Sequence, residues 1–512
     1  MKLIKENFKY LVAVLLLVLS YFLIRITNLT TLPIFTDEAI YIRWAQIAKA
    51  DAAWRFISLT DGKQPFLIWV MMITLKLISD PLFAGRFVSV ITGVFSMLGV
   101  GLVSWEIFKD KKIAFLSSLL YLFSPFFLIY DRMALMDSMV AMFSIWSIFF
   151  ALLLVKFQRL DIALILGIFL GGGVLTKTSG FINIYLLPLT LIFFDSKKKK
   201  STRRLIKWIG LVFVAVVFSQ LYYGILRLSP WFHMIAQKDT TFVYPFGEWR
   251  YTLRFFVGNL NGLFNWLSAY LTYPVVFMIA VALLFARDKW KGKIYLLLFF
   301  LVPFLGLALF GKVLYPRFIL FMSLPLLMLA SWGLSFIVFK FKAKIVTFCL
   351  LILFFLYPAY VDYKILFSIV TAPIPEADSG QYINDWPAGW GIREVVDIME
   401  REAKDKKVAV YTDGTFGLLP YGLEIYLIGN PNVEIIGLWP IPKKMPESVI
   451  AKIEEKETYF VLNQTMEFSP FWTVDLLESY VKGKNRGRML KLFKVNKPDE
   501  SLLEYSDSDI LN

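Results

Sequence analysis

Residues 137–156 read DSMVAMFSIWSIFFALLLVK, a nearly uninterrupted apolar run. An α-helix of about 20 such residues is about 30 Å long, which matches the hydrocarbon core of a bilayer. The run opens on the acid Asp137 and ends on the base Lys156, so its charges lie only at its two ends. The stretch predicts a helix that crosses a membrane.

The whole chain has the composition of a multi-pass membrane protein. Of its 512 residues, 58% are hydrophobic and only 18% are charged, too few polar side chains for a soluble protein of this length. The net charge is +15, but the basic residues form short clusters between apolar runs, a pattern typical of orientation signals and lipid contacts. We therefore expect membrane lipid as a partner and no nucleic acid. One cysteine and one histidine exclude an intrachain disulfide and a metal site built from several Cys or His ligands.

Ten further apolar segments have the length of transmembrane helices. They are 10–26, 81–105, 113–129, 161–176, 180–195, 203–226, 266–286, 293–310, 317–339 and 344–367. The sequence thus predicts an all-α polytopic membrane domain of about eleven transmembrane helices over residues 1–368.

Alternate loops of this domain carry the lysine and arginine clusters. These are Lys109/Lys111/Lys112, Lys156/Arg159, Lys197 to Lys200 with Arg203/Arg204, Arg287/Lys289/Lys291/Lys293, and Lys340/Lys342/Lys344. The positive-inside rule makes their side cytoplasmic, together with the N-terminus. The compact size and the missing internal targeting signals favour the plasma membrane of a prokaryote, with an internal membrane and its lumenal face as the alternative.

The apolar segment 65–78 has to be kept out of the span count. Counting it as a span would move every later lysine cluster to the outside, so we expect an interfacial or half-inserted helix on the outer surface. The first outer loop then covers 27–80 and the other long outer loop 227–265. An odd number of spans leaves the C-terminus extracytoplasmic.

Beyond residue 368 the composition changes to that of a small α/β domain. Helix-like runs are expected at 392–404, 418–428 and 446–455, and strand-like runs at 407–412, 433–438, 458–463 and 489–495. Residues 369–512 therefore form an extracytoplasmic α/β domain, and they contain no glycine-rich nucleotide-binding motif.

Charged residues recur at the outer membrane boundary. They are Asp37, Glu38, Asp61, Lys63, Arg132, Asp137, Lys177 and Arg317. Each has a structural alternative: the acidic pair could cap a helix, Arg132 and Asp137 could pair with each other, and the remaining cations could extend to lipid headgroups. Outer loops are normally poor in basic residues, however. A basic group with carboxylates nearby suits an isoprenoid phosphate and a reaction beside it.

The motifs, in their order along residues 1–340, resemble one enzyme family. The acidic pair Asp37-Glu38 resembles that of the GT-C glycosyltransferases, in the branch of protein O-mannosyltransferases and lipid A aminoarabinose transferases. The segments that carry the rest of the resemblance are Gly62-Lys63-Gln64-Pro65-Phe66-Leu67, Arg132 to Asp137, Leu175-Thr176-Lys177 and Pro316-Arg317-Phe318. Gln64 stands where the family usually has a proline.

The resemblance implies a GT-C fold and an inverting transferase that uses a polyprenyl-phosphate sugar donor. It implies Asp37 as the catalytic base and Lys63 and Arg317 as ligands of the donor phosphate. It places the other substrate-binding residues at Glu38, Arg132, Asp137, Lys177 and Tyr315. No cofactor is expected to be required, with a divalent cation as the alternative, and no metal ligands are assigned.

Two other classes of function remain open at this stage. A transporter or flippase of a lipid-linked sugar would share the spans and the basic cleft, but it commonly shows repeated halves and mid-membrane polar residues. A non-catalytic scaffold for the α/β domain would leave substitutions of Asp37 and Lys63 silent. The acceptor (protein, lipid or glycan) and the sugar are not specified by the sequence.

Overall fold

The computed structural model describes residues 2–285, 288–338 and 343–498. Within them, twenty α-helices account for most of the chain. They are α1 (Lys2–Ile26), α2 (Thr36–Ala50), α3 (Phe66–Leu77), α4 (Pro81–Phe108), α5 (Lys111–Leu122), α6 (Pro125–Tyr130), α7 (Met136–Phe157), α8 (Leu160–Thr176), α9 (Phe181–Tyr185), α10 (Ser201–Gly224), α11 (Met234–Phe242), α12 (Trp249–Leu271), α13 (Tyr273–Leu284), α14 (Trp290–Phe310), α15 (Leu320–Val338), α16 (Lys344–Phe367), α17 (Glu376–Ser379), α18 (Ile392–Glu402), α19 (Leu418–Leu427) and α20 (Glu447–Glu455).

The long apolar helices confirm a multi-pass membrane protein. Among the described residues, six helices are long and apolar enough to cross a membrane, or seven if one bent pair is a single span. The predicted segments 10–26 and 161–176 are also helical but fall among the shorter apolar helices. The predicted cytoplasmic residues Arg287, Lys340 and Lys342 lie outside the described residues.

Three of the predicted spans are interrupted and are not single straight helices. The segment 113–129 is divided between α5 and α6, because Pro125 has no amide hydrogen and begins a new helix. The segment 180–195 consists of α9 and the 3₁₀ turn Leu187–Phe193. The segment 266–286 contains a bend of 104° between the helix pair that meets at Thr272.

The predicted loops also contain helices. The segment 65–78 forms α3, whose 12 residues make a helix of about 18 Å, too short to cross a bilayer. That length agrees with leaving it out of the span count. The predicted outer loop 227–265 holds α11 and most of α12.

The chain divides into two compact units. The first comprises Met1–Leu29, Ala48–Thr74 and Gly85–Pro375, and the second comprises Thr30–Ile47, Leu75–Ala84 and Glu376–Asn512. The second unit thus takes in most of α2 and a second segment near the end of the predicted first outer loop, and its last segment begins at Glu376, seven residues after the predicted start of the α/β domain at 369.

The second unit is built on a five-stranded mixed sheet. Its strands are β1 (Val408–Thr412), β2 (Val433–Gly437), β3 (Glu457–Leu462), β4 (Val474–Lys482) and β5 (Asn485–Val495). The sheet order is β2-β1-β3-β5-β4. The pairs of β1 with β2 and β3 are parallel, and those of β5 with β3 and β4 are antiparallel. The α/β character predicted for the C-terminal region is confirmed.

Candidate active site

Several of the predicted outer-face residues meet in the first unit around two aromatic rings. The rings of Phe242 and Phe318 lie with their centroids 5.8 Å apart. The ammonium group of Lys63 is 5.6 Å from the centre of the Phe242 ring, and that of Lys177 is 4.7 Å from the centre of the Phe318 ring. Two motifs that are far apart in the chain therefore present their cations at one place.

Lys177 is held by a carboxylate from a neighbouring helix. Its Nζ lies 2.7 Å from Oδ1 of Asp137, in the first turn of α7. Lys177 follows α8, and its extended backbone turns the chain into the 3₁₀ turn Thr178–Gly180. Asp137 and Lys177 thus form an ion pair, whereas the alternative pairing of Asp137 with Arg132 is not the one the structure has.

Arg317 and Tyr315 come from the segment between α14 and α15. The guanidinium carbon of Arg317 is 4.8 Å from the Tyr315 ring centre and 6.0 Å from that of Phe318. Arg317 is only 8% exposed and lies on the 3₁₀ turn Pro316–Ile319. The backbone N–H of Lys312 donates to the Phe242 carbonyl at 2.8 Å and so joins this segment to the end of α11.

Helix α11 contributes two residues that sequence reasoning missed, Lys238 and Asp239. Lys238 Nζ lies 2.6 Å from Oδ1 of Asp61, just before the Lys63 motif. Asp239 is the next residue of this helix; burial raises the pKa of its carboxyl group, and Thr178, Lys63 and Lys177 oppose that shift. The adjacent pair Lys238-Asp239 in the second long outer loop was the only sequence feature that could have marked these residues as site candidates. No sequence motif linked the pair to the site residues about 60 to 180 positions earlier.

The close approach of α11 to the first motif requires a glycine. Gly62 has φ of +66°, and a Cβ there would lie 2.6 Å from Cβ of Lys238 and would also strike the Met234 carbonyl. Gln64 then donates from Nε2 to Oγ1 of Thr178 at 2.8 Å. The residue that replaces the family's proline therefore has a hydrogen-bonding role.

The grouped side chains suit a phosphate. Four cations, Lys63, Lys177, Lys238 and Arg317, are interleaved with carboxylates at Asp61, Asp137 and Asp239. This mixture limits the cost of holding cations at a partly buried position and leaves a net positive charge. Burial raises the pKa of Asp239 above its ordinary value, although the Thr178 hydroxyl and the two lysines oppose that shift.

Arg132 lies in a different charged group of the first unit. Its Nη2 donates to the backbone carbonyls of Thr27 and Asn28 at 2.8 and 2.6 Å. The preceding residue, Asp131, is fully buried with Arg25, whose Nε is 3.5 Å from Oδ2. These contacts give Arg132 a role in holding the end of α1. A contact with substrate stays a prediction.

The acidic pair Asp37-Glu38 opens α2 in the second unit. Glu38 is buried, and its Oε2 accepts a hydrogen bond from the Phe35 N–H at 3.0 Å. Glu38 therefore caps the N-terminus of α2, which is the structural role that the sequence analysis gave as the alternative for the acidic pair. Asp37 is half-buried. Thr36 donates from its N–H and its hydroxyl to the Pro387 carbonyl at 3.1 and 3.2 Å, which fixes the start of α2 on the turn 385–391 of the same unit. Catalytic and substrate roles for Asp37 and Glu38 stay predictions.

The charged residues do not form an obvious metal centre. Within residues 2–285, 288–338 and 343–498, no group of three or more His, Cys, Asp or Glu side chains could hold a metal ion. Asp61 is engaged by Lys238, and His233 is exposed with its Nδ1 3.1 Å from the Pro230 carbonyl. The arrangement does not fit an acid–histidine metal site, and the metal requirement stays a prediction.

Comparison with protein families gives a match in a segment that contains four of the eight predicted site residues. Residues 62–223 match the family model of dolichyl-phosphate-mannose-protein mannosyltransferases. This is less than half of the chain, and it includes Lys63, Arg132, Asp137 and Lys177. A search of curated proteins finds no significant match.

Solved structures resemble nearly the whole chain. ArnT from Cupriavidus metallidurans bound to undecaprenyl phosphate has a TM-score of 0.54 and 14% identity, over 97% of this chain and 99% of that one. The archaeal oligosaccharyltransferase AglB from Archaeoglobus fulgidus, in complex with an inhibitory peptide and a dolichol-phosphate, has a TM-score of 0.50 and 13% identity, over 89% of this chain and 69% of that one. At such identities the similarity establishes the fold. The chain therefore has the GT-C membrane fold that its motifs predict, and its residues 62–223 match the mannosyltransferase family model.

Proposed function

We propose that the protein is an inverting membrane glycosyltransferase. It transfers a monosaccharide from a polyprenyl-phosphate donor to a hydroxyl group of a protein, lipid or glycan acceptor. The observation that carries the proposal is the convergence of Lys63, Lys177 and Arg317 on the Phe242–Phe318 ring pair, within a GT-C fold. These cations supply the charge that a departing phosphate needs.

The chemistry requires one base and a stabilised leaving group. The acceptor oxygen forms a bond to the anomeric carbon while the bond from that carbon to the phosphate oxygen breaks. The electron pair leaves with the polyprenyl phosphate, whose charge Lys63 and Arg317 stabilise, so the leaving group needs no acid. The acceptor proton passes to a carboxylate, for which we propose Asp37.

We propose that transfer takes place on the extracytoplasmic side of the plasma membrane. The lysine-rich loops, under the positive-inside rule, support a cytoplasmic N-terminus and an extracytoplasmic α/β domain as parts of this proposal. The transporter alternative has no support from the fold comparison or the family match. Glu38, Arg132, Asp137, Lys177 and Tyr315 are proposed to line or support the substrate site.

The function is tested in two steps: identification of the glycosylated product that is lost when the gene is deleted, and synthesis of that product by the purified protein. Deletion of the gene should remove one sugar from a glycan, lipid or protein detected by mass spectrometry. The purified protein should then release polyprenyl phosphate from a matching polyprenyl-phosphate sugar only when the acceptor is present. Acceptor-independent movement of the intact donor across vesicles, without release of polyprenyl phosphate, would instead support a transporter.

A further inference from the structure

The side chain of Lys482, the last residue of β4, is fully buried in the second unit and binds three oxygens. Its Nζ donates to the carbonyl of Trp386 at 3.2 Å, to the carbonyl of Ala388, and to Oδ1 of Asn463 at 2.5 Å. In its ammonium form the group has three N–H donors, one for each of these oxygens. Asn463 also donates from Nδ2 to the Trp386 carbonyl at 3.0 Å. Buried side chains therefore fix two carbonyls of the turn 385–391.

The same turn is joined to the segment that leads into α2. The Gly389 N–H donates to the Ile34 carbonyl at 2.7 Å, and Phe35 forms an antiparallel bridge with Ala388. The two backbones lie so close that a Cβ on Gly389 would be 2.6 Å from the Ile34 carbonyl oxygen and 2.5 Å from its Cγ2. A displacement of the turn would therefore be passed directly to this segment.

The Pro387 carbonyl then holds the first residue of α2. It accepts the backbone N–H of Thr36 at 3.1 Å and the Thr36 hydroxyl at 3.2 Å. Pro387 stands between the two residues whose carbonyls Lys482 binds, and Asp37 follows Thr36 in the chain. The buried lysine is thus connected to the first turn of α2, and to the backbone that carries Asp37, through one proline carbonyl.

The rest of α2 is also attached to the second unit. Arg43 pairs with Glu424 of α19. Gln46 donates from Nε2 to the Ile425 carbonyl of the same helix at 2.7 Å. Trp44, between them in sequence, is only 1% exposed. The helix that opens on the acidic pair is therefore built into the α/β domain and is not carried on a free loop.

We infer that Lys482 is a positioning residue for the proposed catalytic base, Asp37, because it fixes the turn 385–391 on which the first turn of α2 is held. The inference rests on the proposed function. It gives the α/β domain a part in catalysis that requires no contact of Lys482 with substrate. A base displaced by about 1 Å can cost about 100-fold in rate. The residues proposed to bind the donor phosphate, Lys63 and Arg317, belong to the first unit, so loss of the Lys482 contacts should lower turnover more than donor binding.

The test compares Lys482→Met with a variant that destabilises the same domain elsewhere. Lys482→Met keeps an unbranched side chain and removes the three hydrogen bonds. In the purified full chain it should lower kcat at least about tenfold, measured as polyprenyl phosphate released from the donor that the deletion experiment identifies. The Kd for a polyprenyl monophosphate without a sugar should stay within about twofold of the wild-type value, because the proposed phosphate ligands are unchanged.

Val449→Ala is the matched control. Val449 is fully buried on α20, in a hydrophobic cluster that, among the described residues, contains no residue of the turn 385–391 or of α2. Its truncation should lower the unfolding temperature, as the loss of buried methyl groups does, and leave kcat native. A loss of kcat in Val449→Ala as large as that in Lys482→Met would overturn the inference, because the effect would then be one of domain stability.

A second variant acts on the same connection from the turn. Gly389→Ala places a methyl group against the Ile34 carbonyl and keeps the Lys482 side chain, and it should also lower kcat with little change in the Kd of the probe. Native kcat in folded Lys482→Met, or in Gly389→Ala if the first variant does not fold, overturns the inference alone. Native kcat in Asp37→Asn would overturn the proposed base together with the inference, so the two failures are distinguished.

Discussion

The ammonium nitrogen of Lys177 and Oδ1 of Asp137 lie 2.7 Å apart, although 40 positions separate them in the chain. Asp137 is 9% exposed in its side chain and Lys177 is 27% exposed. The pair joins the start of α7 to the end of α8 and leaves the Lys177 ammonium over the Phe318 ring. Asp137 is thus a positioning residue for a cation of the proposed phosphate site.

Replacement of Lys177 should therefore impair catalysis more than folding. We expect Lys177→Ala to lower kcat/KM by about 100-fold, the usual loss when one group that stabilises transition-state charge is removed. Asp137→Asn should have a smaller effect, seen mainly as a changed KM for the donor, because Lys177 keeps its charge but loses its fixed position. Steady-state transfer kinetics on purified variants measure both. Native kinetics for folded Lys177→Ala would remove this lysine from the site.

Gly62→Ala should displace α11 from the first motif. The positive φ and the approach of Lys238 leave no room for a methyl group, so Asp61 and Lys63 must shift. We expect a several-fold higher KM for the donor and a free energy of unfolding that is lower by about 1–3 kcal/mol. Gly210→Ala is the matched control, because a Cβ at that helical position meets nothing within 4 Å among the described residues. Equal behaviour of the two variants would contradict the predicted contact.

The buried Arg25–Asp131 pair should be far more important for stability than its surface counterparts. Both side chains are fully buried, and Asp131 also accepts hydrogen bonds from Tyr21, Tyr121 and Ser138. Arg25→Leu leaves that carboxylate without its cation, at a cost of about 3–5 kcal/mol. Thermal unfolding in detergent should show a large loss for this variant. Lys198→Leu, which removes a pair that is exposed on both sides, should show almost none.

Lys482 should make the α/β unit more stable as the pH rises. Burial lowers the pKa of Lys482 to about 7, with Asp413 and Asp385 opposing the shift. Above that pH the folded unit releases a proton that the unfolded chain keeps up to the ordinary lysine pKa. The unfolded state then binds more protons, and stability rises by at most about 1.4 kcal/mol per pH unit through this window.

The check is thermal unfolding of the intact protein at about pH 6 and about pH 9. The Lys482 ammonium donates to the carbonyls of Trp386 and Ala388 and to Oδ1 of Asn463, so Lys482→Met should lower stability and flatten the pH dependence. Lys484→Met changes an exposed lysine nearby and should leave the pH dependence intact. A wild-type unit that loses stability between these two pH values would reverse the expected sign.

The sequence predicted those helices and strands whose buried side chains form a clear apolar run or apolar pattern. The run 137–156 appears as α7 (Met136–Phe157), and the strands β1, β2, β3 and β5 lie within a few residues of their predicted positions. The strand β4 was missed because it is at the edge of the sheet and most of its side chains are exposed, so no buried face imposes a pattern.

The site was only partly predictable for a related reason. Lys63, Lys177 and Arg317 could be selected because each belongs to a motif with a known order in the family. Lys238 and Asp239 belong to no motif, and only the packing of α11 against Gly62 brings them to the site. The capping role of Glu38 depends only on residues three positions apart in the chain, so it could be predicted from the sequence as an alternative to a catalytic role.

The proposed transfer is tested most directly by comparing donor binding and turnover in Asp37→Asn. The purified variant should bind the polyprenyl-phosphate sugar within about twofold of the wild type, while transfer to the acceptor falls at least about 100-fold, because only the base has been removed. Asp405→Asn, a surface substitution, should retain full activity. Turnover of Asp37→Asn at the native rate would contradict the assignment of the catalytic base.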